Sequence, residues 1–87
     1  MPAITRVVLD ILKPHHPTLV EFAAELSEHV PGVLIRLNMV EMDEKTETLL
    51  VTVEGRDIPV GRLFESIAQL GGSLHSVDEV EVDGREG

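Results

Sequence analysis

The sequence has no cysteine, no tryptophan and no tyrosine, and two phenylalanines in 87 residues. Without thiols there is no disulfide, no thiolate metal site and no cysteine nucleophile. With so few rings, the stacking platforms of single-strand nucleic-acid binders are missing. Cations are scarce too. Seven Lys and Arg stand against sixteen Asp and Glu, a formal net charge of −9, whereas a phosphate backbone rewards clustered cations. Nucleic acid is therefore not an expected partner. No apolar run approaches the ~20 residues of a membrane-spanning helix, and the N-terminus carries no signal-peptide pattern. No membrane partner is expected, and the expected location is cytoplasmic.

What is present fits one small folded domain spanning residues 1–87: 43% of the residues are hydrophobic and 26% charged, ordinary values for a globular chain. The acidity is lopsided. Residues 1–40 hold three basic and four acidic side chains and residues 41–87 hold four and twelve. No Gly/Ser linker separates the halves, so the asymmetry belongs to one domain.

Val7, Leu9 and Ile11 alternate with Arg6 and Asp10, the period of a strand. Two prolines in Lys13-Pro14-His15-His16-Pro17 break it. Thr18 and Glu21 have capping-box spacing, and Leu19, Ala23, Leu26 and Val30 form a helical stripe that Pro31-Gly32 stops. A second strand is expected from Val33 to about Met42, a polar connection over Asp43–Glu47, and a third strand through Leu49, Val51 and Val53. Asp57 is the expected N-cap of a second helix with Leu63, Phe64, Ile67 and Leu70 inward, closed by Gly71-Gly72. A last strand spans Leu74–Val82, with Leu74, Val80 and Val82 on one parity and Val77 on the other. Residues 83–87 are expected to fray. Aligning the halves at an offset of 44 residues matches Leu19 with Leu63, Glu21 with Glu65, Ala24 with Ala68 and Leu26 with Leu70.

The order β-α-β-β-α-β predicts an α+β, ferredoxin-like domain: an antiparallel sheet of order 4-1-3-2 with both helices on one face. The other face then carries Arg6, Val8, Asp10, Leu34, Arg36, Asn38, Val40, Leu50, Thr52 and Glu54. That mixture of apolar and charged side chains marks an interface, and self-association into a homo-oligomer is its simplest use.

One edge of such a sheet gathers Asp10, the Lys13–Pro17 loop, the acidic connection with Glu44 and Glu47, and the start of the last strand with His75 and Asp78. Imidazole with carboxylate and no thiolate suits zinc, nickel or manganese, and oxygen-only sites suit calcium or magnesium. The plainer readings are a solvated loop for His15-His16, turn solubility for Asp43, Glu44 and Glu47, and a half-buried sheet histidine for His75. His29 complements the dipole of the first helix. Ser76 between His75 and Asp78 is no triad, because strict alternation points His75 and Ser76 to opposite faces. With no Gly-x-Ser-x-Gly segment and no phosphate-cradling glycine loop, no enzyme is expected.

Val8-Leu9-Asp10-Ile11-Leu12-Lys13-Pro14-His15, Thr46-Glu47, Glu54-Gly55 with Asp57-Ile58, and Gly71-Gly72-Ser73-Leu74-His75-Ser76-Val77-Asp78-Glu79-Val80 together resemble the archaeal-type family called domain of unknown function 211. The resemblance implies a ferredoxin-like fold assembled into ring-like homo-oligomers and no established activity. The expected function is a non-enzymatic, ring-like binding protein holding a divalent metal ion (calcium, zinc or nickel) through Asp10, His15, His75, Asp78 and Glu79, with Glu44 and Glu47 in reserve. The plan and the helix–Gly-Gly–strand turn also resemble ACT-type regulatory domains, which implies small-molecule sensing, although prolines stand here where those domains favour glycine. A purely structural scaffold is the remaining alternative.

Overall fold

Strands and helices follow one another as β1 (Ala3–Pro14), α1 (Leu19–His29), β2 (Leu34–Met42), β3 (Thr46–Glu54), α2 (Val60–Gln69) and β4 (Ser73–Asp83) in a computed structural model that describes residues 2–85. The sheet runs β2-β3-β1-β4 with every neighbouring pair antiparallel. Read from the other edge, this is the expected 4-1-3-2.

Alternation on the two central strands decides what is inside. Val7, Leu9 and Ile11 of β1 oppose Val53, Val51 and Leu49 of β3, and these six close against Phe22, Leu26 and Val30 of the first helical segment and Ile58, Leu63 and Ile67 around the second. Both helices therefore cover the same face, called the inner face below. Each such side chain withdrawn from water contributes about 1.5–3 kcal/mol before conformational entropy is counted.

The first helix begins as its sequence predicts. The Thr18 hydroxyl accepts from the Glu21 N–H at 3.2 Å, and the Glu21 carboxylate accepts from the Thr18 N–H at 2.9 Å. Its inward stripe, however, is built on Phe22 rather than on Ala23, which is only half buried. The second helix begins later than expected. Asp57 does not cap it, and Pro59 stands at the N-cap with no side-chain hydrogen bond. The cause is Ile58, which is buried and donates its N–H to the Ile4 carbonyl at 2.8 Å. That bond holds the chain extended, and a residue before proline disfavours the helical conformation in any case.

Two further bounds differ. β3 starts at Thr46, so Glu47 belongs to a strand and not to the connection. β4 reaches Asp83, whose carboxylate is held by Arg85, so the strand takes in the first residue of the expected tail. Residues 86 and 87 of the expected tail lie outside those described.

The parity conflict of the last strand has a structural answer. Along β4, Ile11 opposes Leu74, Leu9 opposes Val77, Val7 opposes Val80 and Ile4 opposes Val82. The pairing steps by one between Leu74 and Ser76 and again between Val77 and Glu79, leaving His75 and Asp78 as the extra residues of two β-bulges. Each bulge resets the alternation, so all four apolar residues share the inner face.

Gly71 and Gly72 end the second helix for different reasons. Gly71 has φ +91°, a conformation that favours glycine. At Gly72 an added Cβ would lie 2.8 Å from Ile67 Cγ2 and 3.1 Å from the Ile67 carbonyl. Gly72→Ala is expected to cost about 1–3 kcal/mol in urea unfolding. Gly61→Ala, which meets nothing within 4 Å inside the helix, is expected to stabilise by about 0.5–1 kcal/mol.

Candidate functional site

The inward row of β1 continues past Ile11 into a charge. Lys13 is 1% exposed and lies opposite Glu47 on β3, itself 5% exposed. Nζ donates to the carbonyls of Pro14 (2.8 Å) and Pro17 (2.6 Å). It stands 2.8 Å from Glu47 Oε1, an ionic contact outside hydrogen-bond alignment, and 5.9 Å from the centre of the Phe22 ring. An ammonium this deep loses several kcal/mol of hydration, and the carbonyls, carboxylate and ring face replace that hydration.

His15 closes the cluster from outside. Nδ1 lies 2.9 Å from Glu47 Oε2 and Nε2 lies 2.9 Å from the Glu44 carbonyl. Both neighbours accept, so the imidazolium, with two N–H donors, satisfies both. The bond to Glu47, then that to the Glu44 carbonyl, raises the His15 pKa above its ordinary value. His15 and then Lys13 hold the Glu47 carboxyl below its ordinary value.

The opposite, outer face carries a different group. Asp10, Leu12, Thr48 and His75 line a hollow of 260 Å³. Asp10 and Leu12 take the outward parity of β1, and Thr48 lies opposite Leu12. His75 reaches this side because it is a bulge residue, so it shares the outer face with Ser76 instead of diverging from it. Ser76 Oγ donates to Asp78 Oδ1 at 2.6 Å, and Glu79 accepts from Arg6 Nε at 2.6 Å. A larger hollow of 440 Å³ at the far end of β4 holds charges already paired, Arg85 with Asp83 at 2.9 Å and Glu81 with the Thr5 hydroxyl at 2.7 Å.

The seven residues singled out in the sequence thus separate. Asp10 and His75 meet in the outer hollow. His15 and Glu47 meet on the inner side, beside Lys13, and Glu44 contributes its carbonyl there. Asp78 and Glu79 bond to Ser76 and Arg6. Among the described residues no group of three or more His, Asp or Glu side chains is placed to hold one metal ion. Sequence reasoning missed Lys13 as a site residue, although the signal was present: Lys13 continues the parity of Val7, Leu9 and Ile11, and Glu47 that of Leu49, Val51 and Val53.

The family model described as "Uncharacterized ArCR", domain of unknown function 211, matches residues 5–86. The chain belongs to the domain of unknown function 211 family. The chain is similar to "Uncharacterized protein MJ0319" of Methanocaldococcus jannaschii, 42% identical over 82 residues that cover 92% of this chain and 82% of that protein. The matched span takes in both sides of the site, from Asp10 and Lys13 on β1 to His75 on β4. No activity comes with the domain of unknown function 211 name, so function rests on the geometry.

Two outcomes follow for the buried cluster. Lys13→Ala is expected to cost about 3–5 kcal/mol in urea unfolding, because Glu47 keeps its burial and loses its cation. Lys13→Met combined with Glu47→Leu is expected to recover most of that loss. The second outcome concerns pH. With its pKa raised on folding, His15 contributes stability in full below its unfolded value of about 6.5 and loses it as pH rises through the folded value. Glu47, lowered on folding, contributes above about 4.3 and loses that as pH falls. The urea midpoint is expected to decline as pH rises above about 6.5, and less steeply in His15→Gln. Equal slopes in the two proteins would remove His15 from this role.

Proposed function

We propose that the protein is a non-enzymatic, self-associating binding module that takes a divalent cation in the outer hollow. The observation that carries this reading is the meeting of Asp10 and His75. Distant in sequence, they reach one hollow because a bulge turns His75 outward. One carboxylate and one imidazole, with the Thr48 hydroxyl beside them, suit zinc or nickel better than calcium, which prefers oxygen alone. Two side chains do not complete a coordination sphere. Water or carboxylates of a neighbouring copy supply the remainder.

A lack of reaction machinery supports the non-enzymatic part. Ser76 donates its proton to Asp78, and the inward lysine is sealed from substrate by carbonyls and by Glu47. Self-association is supported by surface that the helices leave bare. Leu74, Val77, Val80 and Val82 are 41–54% exposed in one row, an apolar patch rimmed by charge. The row belongs to the inner face of β4 and not to the outer face that composition favours. Arg6, paired with Glu54 and Glu79, crosses the outer face, where Val8 and Thr52 are already buried. No helix among the described residues is long and apolar enough to cross a membrane.

Thermal unfolding after EDTA treatment, then with calcium, zinc or nickel, tests the cation reading. At about 100-fold excess over Kd, zinc or nickel is expected to raise the midpoint by of the order of 10 °C, with calcium giving less. Asp10→Asn combined with His75→Ala is expected to abolish the rise. A flat response to all three metals overturns the cation. Sedimentation velocity on the wild type tests association, and a monomer at high micromolar concentration overturns it.

A further inference from the structure

The outer hollow is larger than a hydrated ion on two side chains requires. Zinc held by Asp10 and His75 reaches four-coordination with two further donors. Two waters in those positions fill about 60 Å³, at about 30 Å³ each, whereas the hollow lined by Asp10, Leu12, Thr48 and His75 has a volume of 260 Å³. Leu12, the apolar part of its wall, is 40% exposed and offers water no hydrogen bond.

We infer that the hollow binds a small α-amino acid through its metal ion, the amino nitrogen and one carboxylate oxygen taking the two positions that Asp10 and His75 leave to water. This rests on the cation proposed above and names what that cation recruits. Three arguments carry it. The first is count: one bidentate molecule supplies the two donors that a four-coordinate zinc needs beyond Asp10 and His75. The second is charge. A divalent ion with ionised Asp10 and neutral His75 keeps a charge of +1, and a chelated amino acid carries −1, so the complex is neutral. Among the described residues no lysine or arginine lines the hollow, and the chain carries −9 overall. Without the metal, nothing in the hollow answers a carboxylate. The third is donor type. Zinc and nickel accept nitrogen as readily as oxygen, which favours an amino acid over a plain carboxylic acid.

The remaining lining residues take the rest of the molecule. The Thr48 hydroxyl donates to the carboxylate oxygen that is not on the metal, and Leu12 receives a small apolar side chain. Alanine, with six heavy atoms, needs at most about 180 Å³ by the same measure, within the volume of the hollow. A free amino acid arrives as an ammonium, so it releases one proton to solvent as its nitrogen lone pair forms the bond to the metal.

Equilibrium dialysis of radiolabelled L-alanine against the full chain tests this. With zinc present, alanine is expected to be retained at one molecule per chain, and after EDTA treatment not at all. Thr48→Val, which keeps both metal ligands, is expected to retain zinc as the wild type does and to weaken alanine binding about fivefold. Unchanged alanine binding in that variant removes the Thr48 hydroxyl from the site. Lactate and propionate share the three-carbon carboxylate of alanine and replace its amine by hydroxyl and by hydrogen. Retention is expected to fall in the order alanine, lactate, propionate. Propionate held as well as alanine, or alanine held equally without zinc, overturns the chelate. Zinc retained without alanine, or carried off by it, overturns the inference and leaves the cation reading standing. Zinc that is not retained even in the absence of alanine overturns the cation reading, and this inference with it.

Discussion

An ammonium group sealed inside a protein must find in its neighbours what it loses in water, and at the end of β1 this requirement organises the surrounding chain. Lys13 draws the carbonyls of Pro14 and Pro17 around itself, so the loop folds back over its own strand. That places Thr18 where the first helix can start and sets Phe22 over the ammonium. Glu47 answers from β3, and His15 ties the same carboxylate to the Glu44 carbonyl in the hairpin. Three connections thus share one buried charge. The pair also guards register: a one-residue slip of β1 against β3 would turn Lys13 to the outer face and leave Glu47 buried without its cation.

The same geometry divides the chemistry of this edge of the sheet. Topology gathers His15 and His75 at one edge, but the sheet stands between their side chains. On the inner side Lys13 already neutralises Glu47 and His15 occupies its other oxygen, so a further cation there would meet a charge of its own sign and no free carboxylate oxygen. On the outer side Asp10 and His75 face a hollow with no cation of the protein lining it. Electrostatics alone therefore favours the outer hollow over the inner cluster for a metal ion, even though the inner cluster holds more of the expected ligand types.

How much of this was legible follows from which rules each segment obeys. The alternation of Val7, Leu9 and Ile11 and the Thr18–Glu21 capping box are local patterns, and the structure follows both. Strand order follows from element order, because short connections leave few ways to arrange βαββαβ. Asp57 reads as a cap by local chemistry, yet Ile58 bonding to Ile4 overrides it, a long-range contact that no local window contains. Phe22 lies on the same stripe as Leu26, and Ala23 at its margin, so a reading by exact spacing chose the wrong neighbour. Lys13 and Glu47 were legible in parity and obscured by chemistry, since charged residues are read as exposed unless a partner is already known.

The last strand broke the period-two rule, and that break links the two surfaces of the molecule. Without its bulges, β4 would place Val77 opposite in facing to Leu74, Val80 and Val82, interrupting the inner row with a polar side chain. With them, four apolar residues align inward while His75 and Asp78 join Ser76 and Glu79 on the outer face. The two bulges together build the apolar edge, and the one at His75 brings the imidazole to the hollow that Asp10 lines. They also govern how the edge can be used. An uninterrupted strand at a sheet edge accepts any partner strand at any register, the route to open-ended aggregation. An edge interrupted at His75 and Asp78 offers no such unbroken ladder of donors and acceptors.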